Sequence, residues 1–174
     1  LAKWTRLALD GNPTVLLLLF VPEASLVSKT AEGEALRALT PKFLGDTLFD
    51  RYLGYMRQQR QRLTDKVKMP SRPELIERYG FDTKYAGHLL RLGYQGLELV
   101  TSGRLTLPMG EPQRSRVLAV RRGQVPEAEV LAEAAELEQE LLRLQAKGEL
   151  GPPDRGAVER FVVECYLRRA AARA

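Results

Sequence analysis

The sequence holds a single cysteine, Cys165, and a single histidine, His88, in 174 residues. One cysteine excludes an intramolecular disulfide and fits a reducing compartment. The two residues together are too few for the usual zinc ligand sets, which draw mainly on cysteine and histidine. Long apolar runs are missing too. The longest, residues 15–21, has seven residues, whereas a membrane-spanning helix needs about 20. It is also short for a secretory signal, and Pro22 and Glu23 follow it directly. The expectation is a cytoplasmic protein that does not enter a membrane. Cys165 stands beside Val163 and Tyr166 and reads as a buried thiol rather than a nucleophile.

What is present is an ordinary globular composition, 44% apolar and 28% charged, in a chain long enough for one domain with a real core. Charge is unevenly spread. Residues 51–91 carry ten basic and four acidic side chains, a net +6, more than the +5 of the whole protein. A local surface of this kind favours polyanions or nucleotides, although a solubility surface has the same composition.

Periodicity is helical almost throughout. Helices are expected over residues 1–9, 14–20, 30–39, 46–64, 72–79, 83–101, 112–122, 126–147 and 154–169. Residues 14–20 are apolar all round and read as buried. Residues 104–107 alternate and form the one good strand candidate, to pair near residues 25–28 or stand alone. There are no repeats and no low-complexity linker. The expected fold is mainly α, a compact multi-helix domain over residues 1–174 with at most a short two-stranded β element.

The most informative stretch is residues 72–92. Pro73 suits a helix start and Gly80 a helix stop, and Asp82 then reads as the N-cap of the next helix. From there Lys84, His88 and Arg91 fall within roughly 60° of one another on the helical wheel. Ala86, Leu89, Leu90, Gly93 and Leu97 fall on the opposite side. A core helix needs the apolar face; it does not need its only histidine between a lysine and an arginine. Such a line suits a phosphate chain, and it starts at a helix N-terminus, where the dipole favours anions. The competing reading is a solvated basic face. A second stripe, Arg51, Tyr55, Gln58 and Arg62, lies on the preceding long helix and is a candidate for the same ligand space or a plain solvent face. Residues 66–71 read as a basic loop, either a cover for a phosphate site or a linker.

Residues 7–14 (Leu-Ala-Leu-Asp-Gly-Asn-Pro-Thr), 17–22 (Leu-Leu-Leu-Phe-Val-Pro), 78–84 (Arg-Tyr-Gly-Phe-Asp-Thr-Lys) and 88–92 (His-Leu-Leu-Arg-Leu) together resemble the nucleotidyltransferases of the DNA polymerase beta superfamily. The group linked to RNA repair and RNA ligase operons is the nearest in pattern. The resemblance runs from Leu1 to about Arg169. It implies transfer of a nucleoside monophosphate from an NTP, with Mg2+ and the NTP as cofactors of the complete enzyme and nucleotide and RNA among its partners. It further implies that Lys84, His88, Arg91, Asp82, Arg72 and Tyr79 form the nucleotide- or phosphate-binding surface. In that family a Gly-Ser turn and an Asp-x-Asp pair on a strand carry the chemistry, and this sequence contains neither. The expectation is therefore the helical C-terminal portion, inactive alone, holding no catalytic or metal-ligating residue of its own, and completed by an N-terminal catalytic part or a partner chain. Two other functions compete: a non-catalytic nucleic-acid module that stacks bases on Tyr55 and Tyr85, and a helical interaction protein using Leu131, Leu137, Leu141 and Leu144.

Overall fold

The computed structural model describes residues 1–65 and 72–172. Among these it has ten α-helices and no strand: α1 (Ala2–Leu9), α2 (Pro13–Leu16), α3 (Ala31–Ala38), α4 (Thr40–Phe43), α5 (Thr47–Thr64), α6 (Pro73–Tyr79), α7 (Thr83–Ser102), α8 (Gln113–Arg121), α9 (Glu127–Lys147) and α10 (Arg155–Ala171). The mainly α expectation holds.

Helix α7 organises the molecule. It packs on α5, α8 and α9, and its apolar side is sealed: Ala86, Leu89, Leu90, Leu92 and Leu99 are all buried. Each fully buried leucine contributes about 1.5–3 kcal/mol relative to exposure. Glycines let the neighbours come close. A Cβ at Gly96 would stand 2.9 Å from the Tyr52 ring, and one at Gly93 would stand 2.7 Å from Leu137 and 3.0 Å from Met56. Tyr52 opposite Gly96 and Met56 opposite Gly93 make α5 antiparallel to α7. That register carries the far end of α5, with Arg62, toward the beginning of α7. Leu141 is buried and Leu131, Leu137 and Leu144 pack against the same core, so these four leucines of α9 serve the interior.

Three expectations change. Residues 104–107 form no strand. The amide of Thr106 donates to the Glu98 carboxylate at 2.9 Å and Leu105 is buried, so the segment folds back along α7 and its alternation reflects one inward leucine. Residues 14–20 do not make one buried helix. Asn12 caps α2 by accepting from the amides of Thr14 and Val15, and after Leu16 the chain tightens into a 3-10 turn. That change of pitch buries Leu16 and Leu19 while Leu18 is 57% exposed. Cys165 is half-buried rather than buried, because the outer side of α10 is open at Val163, Tyr166 and Leu167. No described helix is long and apolar enough to cross a membrane.

Candidate functional site

The start of α7 is built by four residues. Gly80 ends α6 at φ 83, a left-handed conformation that favours glycine. Asp82, 4% exposed, then accepts from the amides of Lys84 at 2.9 Å and Tyr85 at 3.1 Å. Its other carboxylate oxygen accepts from Arg72 Nη1 at 3.0 Å. The guanidinium of Arg72 lies over the Tyr85 ring, 5.0 Å from its centroid, and that of Arg62 lies over it at 5.8 Å. Asp82 therefore spends its charge on the helix and on Arg72. The α7 N-terminus is closed by its own cap and is not itself an open anion site.

One turn further on, positive charges gather. Lys84 is exposed, and His88 and Arg91 are half-buried. Arg121 reaches them from α8 across Gly87, where a Cβ would stand 2.7 Å from its Cδ. Arg62 reaches them from α5. Burial comes first, and then Arg91, Arg62 and Arg121 in turn, in pushing His88 down from 6.5 to about 4. The ring is therefore neutral at pH 7. Arg91 is likewise disfavoured as a cation, by burial first and by Arg121, while Tyr52 acts the other way. The Tyr52 hydroxyl is buried with no hydrogen-bond partner among the described residues. Also among the described residues, no carboxylate comes within 4.0 Å of Arg62, Lys84, His88, Arg91 or Arg121. Half-buried cations without counter-charges cost stability. Perturbed groups of this kind cluster at functional sites.

The stripe Lys84, His88 and Arg91 is thus on one surface, and Arg72 adjoins its N-terminal end. Tyr79 is elsewhere. Its ring presses on Gly123, where a Cβ would fall 2.1 Å from Cδ1. It lines a separate groove with Phe81, Val125 and Glu127, whose carboxylate has the wrong sign for a phosphate. The second stripe divides in the same way. Arg51 Nε donates to the Asp10 carbonyl at 2.8 Å, and the Tyr55 hydroxyl accepts from Asn12 Nδ2 at 3.2 Å. Both tie α5 to the α1–α2 corner, and Arg62 alone of the named four joins the cluster. The basic loop at residues 66–71 lies outside the described residues. Arg121 was missed from the sequence because it sits 30 positions beyond Arg91. Its one local signal is Gly87, an interior helix glycine that costs about 1 kcal/mol and so implies a close neighbour.

Two of the other aspartates have structural partners. Asp10 pairs with Arg155 at 3.0 Å, and Asp50 accepts from Gln145 at 2.9 Å. No group of three His, Cys, Asp or Glu side chains among the described residues is arranged to hold a metal ion.

Residues 1–164 match the family described as the RNA repair pathway DNA polymerase beta family, RlaP. The chain belongs to that family. No curated protein and no solved structure matches it significantly.

Proposed function

We propose that this chain is the nucleotide-facing helical part of a nucleotidyltransferase that acts on RNA, and that its basic cluster grips the phosphates of the NTP or of the acceptor. Residues 1–174 are read as one domain of that enzyme. The observation that carries the proposal is the convergence of Arg62, Arg91 and Arg121 from three helices on a neutral His88, with no carboxylate within 4.0 Å among the described residues. Lys84 supplies a fixed charge at the exposed edge. Arg91 supplies a planar fork that holds two phosphate oxygens at once. His88, neutral, donates through one ring N–H. Asp82 and Arg72 position the first turn of α7 and do not touch the ligand. The Mg2+ ions of such an enzyme have no ligand set among the described residues, and no metal-dependent step is assigned to this chain.

Calorimetry with a non-hydrolysable triphosphate tests the reading. Replacing Lys84 or Arg91 by alanine is expected to weaken binding by about 1–3 kcal/mol each, the loss of a charge-assisted hydrogen bond. Unchanged affinity in both variants with the fold intact would leave the patch a solvated face. The base-stacking alternative is not favoured, because Tyr55 and Tyr85 are already engaged.

A further inference from the structure

Most aromatic side chains of this protein are already engaged. Tyr52 is buried, and Trp4 packs edge-on against Phe43. Tyr55 accepts from Asn12, and Tyr94 donates to Glu133. Tyr79 presses on Gly123, and Tyr85 carries two guanidinium groups. Tyr166 differs: at 53% it is the most exposed aromatic among the described residues. The reason lies in α10. Its first half is seated in the core through Val158, Phe161 and Val162, and from Val163 to Ala172 no residue is buried. The helix emerges there, and a hollow of about 520 Å³ opens against it, lined by Tyr166, Arg168, Arg169, Cys165, Leu1 and Glu32. An aromatic wall and two guanidinium groups in one hollow suit a base and the phosphates beside it, since every base has a face to stack. Arg168 reaches Glu164 at 3.9 Å, but both side chains are mostly exposed. Such a pair is worth little and yields to a phosphate. The carboxylate of Glu32 repels phosphate from its own rim, which leaves the arginine side for the backbone.

We infer that this end of α10 is a second binding site, one for single-stranded RNA, in which Tyr166 stacks a base and Arg168 and Arg169 hold the adjoining phosphates. Helix α10 packs on α1 and α4, whereas the basic cluster is built by α5, α7 and α8, so the two sites are separate. The inference rests on the reading above that the enzyme acts on RNA, which the family supports, and adds where the strand is held.

The test uses the full chain and a fluorescein-labelled oligouridylate of about 12 nucleotides, within the usual span of such sites, followed by anisotropy. Tyr166→Ala is expected to weaken binding about 5- to 150-fold, the loss of one stacked base, with triphosphate affinity unchanged. Tyr166→Phe keeps the ring and is expected to bind within about twofold of the parent. Arg168→Ala combined with Arg169→Ala is expected to lower the slope of log affinity against log salt by about 1.4, two phosphate contacts at about 0.7 each. All three positions are exposed, and circular dichroism verifies the fold of each variant. Unchanged RNA affinity in Tyr166→Ala overturns the inference. So does a loss in Tyr166→Phe as large as in Tyr166→Ala, which would assign the hydroxyl and not the ring. If Tyr166→Ala instead abolishes a concentration-dependent dimer seen by sedimentation, with RNA affinity intact, the face belongs to a second copy of the chain and the inference fails. RNA binding lost in Arg91→Ala but not in Tyr166→Ala overturns it while leaving the phosphate-binding reading intact. No RNA binding by the parent removes it, and triphosphate calorimetry then judges the earlier reading on its own.

Discussion

Replacing Arg91 by methionine separates what this residue costs from what it does. Methionine keeps the unbranched apolar stem that packs along α7 and deletes only the guanidinium. That guanidinium is half-buried, faces the cations of Arg121 and His88's surroundings, and has no carboxylate opposite among the described residues. Substituting well-packed apolar side chains for a buried ionic group is often stabilising by about 1–4 kcal/mol. The low end applies because solvent reaches Arg91, so a gain of about 1 kcal/mol is expected, read as a higher midpoint in urea at unchanged slope. Triphosphate affinity is expected to move the other way, falling by about 1–3 kcal/mol, or roughly 5- to 150-fold. A third readout is independent of ligand. Arg91 is the largest charge acting on His88, so the His88 titration, followed by NMR, is expected to rise toward its ordinary value. Opposite signs in stability and affinity are the signature. A variant that unfolds like a core truncation, or binds triphosphate as the parent does, would refute the reasoning.

His88→Gln addresses pH. In the folded chain His88 titrates at about 4 against 6.5 ordinarily, so between these values the unfolded chain binds more protons. Its contribution to stability is present above 6.5 and lost as pH falls to 4, by about 1–2 kcal/mol after solvent screening. The glutamine variant is expected to lose that much less than the parent between pH 7.5 and 4 in urea titrations, and parallel losses would contradict the assignment. Asp82→Ala removes the α7 cap and the Asp82 bond to Arg72, for an expected cost of about 1–3 kcal/mol. Asp82→Asn retains the cap and is expected to recover about 1 kcal/mol of it; equal denaturation midpoints would show that the cap contributes nothing. Gly96→Ala forces a methyl against the buried Tyr52 ring and is expected to cost about 1–2 kcal/mol despite alanine's better helix propensity. A rise in thermal midpoint would contradict the close packing of α5 on α7.

Helix positions were legible from local signals because each end carries its own chemistry. Pro73, Gly80, Asp82 and Gly103 bracket α6 and α7 as their residue types dictate. The apolar and basic sides of α7 were legible for the same reason, since 3.6-residue periodicity is a property of one segment. What was not legible depended on partners distant in the chain. Leu105 looked like part of a strand because its burial comes from α7 and not from a paired strand. Arg121 and Arg62 join His88 only through the packing of α8 and α5. Tyr79 follows Arg78 in a motif that looked like one site, yet the turn at Gly80 sends it to Gly123.

The strongest ground for a functional reading is a contrast within the molecule. This chain has 22 acidic side chains and uses them readily where an arginine is packed. Arg116 of α8 donates through Nε to Glu133 at 2.7 Å and also reaches Glu129 at 3.3 Å. Arg60 of α5 stands 3.0 Å from Glu138 as an ion pair, without an aligned hydrogen bond. Arg155 of α10 meets Asp10. Arg62, two residues from Arg60, and Arg121, five from Arg116, have no such partner among the described residues. On α5 and α8 the packed Arg60 and Arg116 meet carboxylates, whereas Arg62 and Arg121 do not, and neither do the exposed Arg57 and Arg114 among the described residues. A glutamate introduced nearby would relieve the repulsion around His88, and its cost would fall on anion binding. Introducing that counter-charge at an exposed position of α8, as Leu118→Glu three residues before Arg121, is expected to raise stability slightly and to weaken triphosphate binding about five- to tenfold. Weaker binding with no change in the His88 titration would place the effect outside the cluster, and an upward shift in that titration would place it at the cations themselves.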